Sequence, residues 1–195
     1  MEAKRFEIRK IAWGGGAVPV LLHYGRHARL LHLASQLLGS DEMNHLINNA
    51  HMKMPGTTVA FGWHQDSVNR GIHKGFFADV NGGGSFVQTD LAVDPKYADS
   101  GPVAFMPRSG GEGHLPHGES GYLSPDLVDE DRQVVPLPNR GDLLLWHPYT
   151  IHGSKPNTSK QVRRILINGY AYPGATRRTY AGSEKGAGEL VRSQC

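Results

Sequence analysis

Apolar residues recur at helical spacing in one clear stretch, His27–Leu38, where Leu30, Leu31, Leu33, Ala34, Leu37 and Leu38 fall on one stripe and Gly39 follows as a stop signal. The spacing predicts a single amphipathic helix packed against the remaining core. Beyond it the pattern changes to short apolar segments, Ser85–Val93, Val103–Met106, Asp142–Trp146 and Arg164–Tyr170, separated by Gly, Pro, Asn and Asp clusters. Such segments read as strands. One early helix and a series of short strands predict a mainly β fold, a double-sheet jelly roll flanked by helices, over a wound α/β fold. Asn81–Gly84 and Ser109–Gly113 are expected as glycine-rich loops, and neither opens a helix suited to phosphate. The polar tail Thr176–Cys195 is expected to fray.

Length suits one domain, residues 1–195, large enough to enclose a core with a buried pocket. The 25 glycines and 12 prolines agree with a turn-rich β fold. A formal charge of +3, with Lys and Arg scattered, argues against nucleic acid as partner. No apolar run approaches the ~18–20 residues of a membrane span, so no membrane partner is expected. A single cysteine, Cys195, excludes an intrachain disulfide, and Met1–Lys10 does not resemble a secretory signal. These features point to the cytoplasm. The 11 histidines change the picture most, because they invite a search for a metal site.

That search finds Gly62-Trp63-His64-Gln65-Asp66, in which a histidine and a carboxylate are separated by one residue. On an extended strand both side chains point to one face and can reach one ion. Far along the chain, the apolar run after Gly141 leads through Trp146-His147-Pro148 to Ile151-His152-Gly153-Ser154. His64, Asp66 and His152 together form a two-histidine, one-carboxylate set. Such a set leaves open positions on iron(II) for an oxoacid and dioxygen, although zinc hydrolases use the same ligands. Arg163, at the start of an apolar strand, distinguishes the two chemistries. A buried guanidinium there suits a bidentate grip on the distal carboxylate of 2-oxoglutarate, with Ser154 as an added hydroxyl donor. Arg164 should face the other way.

Over roughly His45–Tyr170 the chain resembles the phytanoyl-CoA dioxygenase-like oxygenases, a family that includes ectoine hydroxylases. The resemblance rests on Lys53-Met54-Pro55-Gly56, Trp63-His64-Gln65-Asp66, Gly101-Pro102-Val103-Ala104-Phe105-Met106-Pro107-Arg108-Ser109, and His152-Gly153-Ser154 with Arg163. It implies a cupin-like double-stranded β-helix and an enzyme using iron(II), 2-oxoglutarate and dioxygen on a small-molecule substrate. It also implies that Asn49 and Gln88 line the co-substrate pocket beside Arg163 and Ser154. Two departures stand out: Gln88 replaces a frequent tryptophan, and Gly110 a frequent histidine, which implies a more polar or more open wall. Asp66 is kept where related halogenases carry a small residue, which favours hydroxylation. The chain is short for the family, implying N-terminal helices that are trimmed or lie outside this sequence.

Two rival readings remain at this stage, a non-catalytic cupin-like binding protein and a zinc-dependent hydrolase with the same triad. Other conspicuous residues have plain explanations. His73, His114, His117 and His147 read as loop or surface histidines, His147 with a possible place behind the ligands. Trp63 and Trp146 read as core packing that also shields the site. Lys53, Arg70 and Lys74 read as solvated surface, and Asn168 and Tyr170 lie on the Arg163 strand with their face undecided.

Overall fold

Two helices precede most of the strands in the computed structural model, which describes residues 8–180 and 188–193. α1 (Pro19–Gly25) starts on a proline, whose missing N–H is no loss in the first turn. α2 (Ala28–Leu38) starts after His27, whose ring accepts the Arg29 N–H at 3.3 Å, and ends at Gly39 with φ 70°. This is the helix that the leucine stripe predicts. It buries Leu30, Leu31, Ala34 and Leu38 against Met43, Val87 and Tyr170.

Among the described residues the strands, in chain order, are β1 (Lys10–Ile11), β2 (Glu42–Lys53), β3 (Phe61–His64), β4 (Phe86–Ala92), β5 (Val103–Phe105), β6 (Leu143–Trp146), β7 (His152–Ser154), β8 (Arg163–Ala171) and β9 (Glu189–Arg192). The four strands predicted from sequence correspond to β4, β5, β6 and β8, within one residue at either end. The larger sheet runs β1-β2-β8-β4-β6 with β9 also on β2, and the smaller runs β3-β7-β5; every pairing is antiparallel. Two antiparallel sheets with helices on one outer face give the mainly β jelly-roll class expected.

Strand β2 has no counterpart in the sequence reading, for a physical reason. Its sequence, Glu-Met-Asn-His-Leu-Ile-Asn-Asn-Ala-His-Met-Lys, places polar groups on both faces, so no period-2 alternation is visible. A bulge between His45 and Ile47 then reverses its parity. Met43 and His45 face the helices, with His45 stacked 4.9 Å from Tyr170, whereas Ile47 packs with Phe86, Ile165 and Ile167 on the opposite face. By this one-residue reset Asn49, His51 and Lys53 turn into the cavity between the sheets.

The tail also departs from expectation. Instead of fraying, Glu189–Arg192 pairs with Glu42–His45, and Val191 enters the core under α2. Residues 181–187 and 194–195 of that tail, Cys195 included, lie outside the described residues.

Polar groups on the helix side of the sheet form a buried network. Asn48 accepts from the Gly15 N–H at 2.8 Å and donates to the Leu21 carbonyl and to Asn168 Oδ1, which also meets His45 Nε2 at 3.0 Å. Tyr170 donates to the Gly25 carbonyl at 2.6 Å. Asn168 and Tyr170 thus face away from the cavity and tie the N-terminal helices to the sheet. Replacing Asn48 with Ala should leave buried partners unsatisfied and cost about 2–3 kcal/mol, read as a lower urea midpoint with unchanged slope.

Candidate active site

The register of β3 on β7 places His64 directly opposite His152. Their rings stand 4.3 Å apart between centroids. Asp66, two residues after His64, opens the short helix α3 (Asp66–Arg70) and is 3% exposed. One ligand atom from each of His64, Asp66 and His152 lies within 4.8 Å of the others, the one such group of metal-ligating side chains found among the described residues. His152 Nε2 is 3.7 Å from Asp66 Oδ2, too long for a hydrogen bond and suited to a shared ion.

Each ring is fixed from behind. His64 Nδ1 meets the Gly62 carbonyl at 2.8 Å, and His152 Nδ1 meets the Thr150 carbonyl at 2.9 Å. Nδ1 donates there, so Nε2 is the ring atom left to face a shared ion on each histidine. Trp146 Nε1 donates to Asp66 Oδ2 at 2.9 Å and so fixes the carboxylate. Gln65, fully buried between the two ligands of its motif, donates to the Gly113 and Tyr149 carbonyls at 2.8 and 2.7 Å and accepts from the Leu115 N–H at 2.8 Å. It ties the first ligand segment to the loop that leads into His152.

Burial, and then His152, lower the His64 pKa to about 4. Burial pushes the Asp66 carboxyl upward, but His152, His64, Arg70 and the Trp146 hydrogen bond together hold it below the usual carboxylate range. A neutral imidazole beside an ionised carboxylate is the protonation state a divalent cation requires.

Next to the triad, Arg163 is 3% exposed. Its Nη2 donates to the Gly101 carbonyl at 3.2 Å, while its buried Nε has no protein partner. Gly101 is held at φ 68°, and a Cβ there would stand 2.5 Å from the Lys155 carbonyl oxygen, so only glycine presents its carbonyl to Arg163 at this point. Arg164 points outward and grips Asp94 at 2.7 and 2.8 Å, as strand alternation requires. Lys53 corrects the sequence reading. Far from being solvated, it is 2% exposed, and its ammonium donates to Ser154 Oγ at 2.8 Å and to the Lys155 carbonyl at 2.5 Å. Burial, and then Arg163, lower its pKa to about 7. The nearby carboxylate of Asp90 is already paired with Lys96 at 2.5 Å. Arg163 and Lys53 therefore form a buried cationic pair without a counter-charge of its own, which fits an anionic co-substrate.

The remaining residues sort cleanly. Gln88 and Asn49 both line the cavity, Asn49 also accepting from the Trp13 N–H at 3.0 Å. Gln88 makes that wall polar, as its replacement of an aromatic residue implies. Gly110 lies off the cavity, beside Thr150 and His147. His147 meets the Gly83 carbonyl at 2.6 Å instead of a ligand, and His117 Nε2 accepts from the Gln65 N–H at 3.1 Å. His114 meets Ser67 Oγ at 2.7 Å and His73 is exposed. Trp63 donates to Glu130, so of the two tryptophans only Trp146 acts on the triad. Arg70, like Lys53, is buried, whereas Lys74 is exposed as expected. The Lys53 and Arg70 signals were present as motif neighbours, but charge alone says nothing about burial. The cavity joining these groups measures about 480 Å³, room for a co-substrate and a small molecule beside it.

Comparison with known proteins agrees with this geometry. The family model described as phytanoyl-CoA dioxygenase matches residues 18–165. Among solved structures, EvdO2 from Micromonospora carbonacea var. aurantiaca, complexed with 2-oxoglutarate, is 21% identical with a TM-score of 0.68, covering 86% of this chain and 69% of that one. The non-heme monooxygenase ThoJ, in its apo form, is 20% identical with a TM-score of 0.73, covering 92% and 68%. EctD from S. alaskensis, in its apoform, is 23% identical with a TM-score of 0.68, covering 96% and 63%. The chain thus spans about two thirds of the length of these structures. No curated protein matches it.

The Trp146 contact yields a test. Trp146→Phe keeps the ring packing but frees Asp66, and it should weaken iron(II) binding by roughly 10–100-fold in an anaerobic titration with little change in melting temperature.

Proposed function

This chain belongs to the phytanoyl-CoA dioxygenase family of iron- and 2-oxoglutarate-dependent oxygenases, and on that premise we propose that His64, Asp66 and His152 hold the iron and that the enzyme hydroxylates a small-molecule metabolite. The observation carrying the site assignment is the convergence of the three ligand atoms within 4.8 Å, beside a buried guanidinium whose Nε has no protein partner. A zinc hydrolase or a passive binding module needs no carboxylate clamp at that place.

Iron(II), when bound, supplies the activation of dioxygen that is coupled to conversion of 2-oxoglutarate into succinate and carbon dioxide. The protein's own groups orient and shield. Arg163 and Lys53 hold the distal carboxylate, with the Ser154 hydroxyl free to donate to it because its oxygen already accepts from Lys53. Gln88 and Asn49 border the same space. Trp146 and Phe105, each within 6.0 Å of the His152 ring between centroids, keep that side of the triad apolar. A retained carboxylate at Asp66 supports hydroxylation over halogenation, since it fills the position a halide would take.

The reading also places the activity in a single domain, residues 1–195, acting in the cytosol without nucleic acid or membrane as partner. No helix among the described residues is long and apolar enough to cross a membrane.

Succinate release from 2-oxoglutarate in the presence of iron(II) and a metabolite panel tests the function. His64→Ala and His152→Ala should abolish both iron binding and succinate release, and Arg163→Ala should chiefly raise the 2-oxoglutarate requirement, by roughly 10–100-fold for a lost charged hydrogen bond. Normal turnover in the two histidine variants would remove the site assignment.

Lys53 sets a pH dependence of known sign. Its folded-state pKa, lowered to about 7, lies below the unfolded value, so the unfolded chain binds more protons between about pH 7 and 10.5 and apo-protein stability rises across that window. A bound carboxylate favours the ammonium, so affinity for 2-oxoglutarate should fall as pH climbs above about 7. Lys53→Met should flatten that profile while raising the apo melting temperature, with both read by calorimetry.

A further inference from the structure

A second cationic group lines the same cavity, away from the Arg163 clamp. Arg70 ends α3, one helical turn beyond Asp66, and therefore projects from the same face of that helix. It is 9% exposed, yet its Nε and Nη1 have no hydrogen-bond partner; the Asp66 carboxylate feels its charge, but no carboxylate forms an ion pair with it among the described residues. What holds it is aromatic: its guanidinium carbon stands 5.0 Å from the Phe86 ring centroid and 5.4 Å from that of Tyr180. Arg178 approaches the same Tyr180 ring at 5.4 Å and donates to the Asn69 carbonyl at 3.0 Å. Lys10, at the cavity rim on β1 with its ammonium partly shielded, is held below the usual lysine range by that shielding and then by Arg70 and Arg178. Lys53 lies instead beside Arg163, and the ring of His51, lining the same cavity, is close enough to feel both Lys10 and Arg163.

Burying a guanidinium with two unsatisfied N–H groups is costly, and gathering two more cations around it adds repulsion. An anion relieves both terms. The triad and the Arg163 clamp account for the metal and the co-substrate, so the anion that Arg70 lacks is left to the molecule that is oxidised. We propose that Arg70, with Arg178 and Lys10, is the substrate-recognition site for a carboxylate or phosphate group. The inference rests on the oxygenase reading for the word substrate, but the anion site stands on its own residues. Arg70 and the ligand Asp66 share one helix face and one cavity, so the anionic group and the reacting atom of the substrate occupy the same enclosed space.

Sulfate and acetate, standing for phosphate and carboxylate, are titrated calorimetrically into anaerobic protein loaded with iron(II) and saturated with 2-oxoglutarate, which fills the Arg163 end. Wild type should bind at least one of them, and the tighter of the two names the group. Arg70→Gln should lose roughly tenfold or more, while its affinity for 2-oxoglutarate stays within about twofold. Should Arg70→Gln fold poorly, Arg178→Gln and Lys10→Gln, both at exposed positions, should each weaken the same anion by about two- to fivefold, less so at high salt. Wild type binding neither anion, Arg70→Gln binding them as wild type does, or a parallel loss of 2-oxoglutarate would each overturn the proposal. If wild type fails to bind 2-oxoglutarate, the oxygenase reading falls instead. The sulfate titration repeated on Arg163→Gln then still decides whether Arg70 holds an anion.

Discussion

The site depends on one pairing: β3 lies antiparallel to β7 so that His64 and His152 face each other across the smaller sheet. Neither strand is long, and two or three ladder bonds would hold the register only weakly. The register is fixed instead by side chains. Gln65 bonds carbonyls at Gly113 and Tyr149, and the Ser67 N–H donates to the Pro148 carbonyl at 3.1 Å, so the residues around the first ligand pair are stitched to the segment preceding the second histidine. Trp146 closes the arrangement by reaching from the larger sheet to Asp66. A slip of one residue would turn a histidine out of the cavity and break several buried hydrogen bonds together.

Charge in the cavity is organised around that centre. The triad offers one carboxylate and two imidazole Nε2 atoms, a donor set suited to a cation. Arg163 with Lys53, and Arg70 with its neighbours, form no ion pair with a carboxylate among the described residues; of the two acids near them, Lys96 already holds Asp90, and Asp66 belongs to the triad. The same physical cost applies to each group, namely burial of an ion or donor without compensation. These deficits share one cavity of about 480 Å³ and match the metal, the oxoacid and the anionic substrate proposed above.

Much of this was legible beforehand. The leucine stripe of α2 and the boundaries of β4, β5, β6 and β8 follow from periodicity and punctuating Gly and Pro. Three metal-ligating candidates and Arg163 could be named because their chemistry demands particular residue types at particular spacings. Strand β2 could not be read, since its Asn and His residues satisfy hydrogen bonds on the helix side and line a cavity on the other, erasing alternation. Strand β9 was hidden for a different reason: four residues, Glu189–Arg192, carry too little periodicity to outweigh a polar tail.

What the sequence determined by itself was local: which residue types are present, their spacing along an extended or helical backbone, and hence the His-x-Asp pair, the distant histidine and the arginine at a strand start. Burial and parity were decided only in three dimensions. Lys53 and Arg70 become cavity cations because a bulge at His45/Ile47 rotates half of β2 inward and because α3 turns Arg70 beneath Phe86 and Tyr180. A side chain's solvent exposure is the sum of contacts from segments far away in the chain, and no window of neighbours contains that sum.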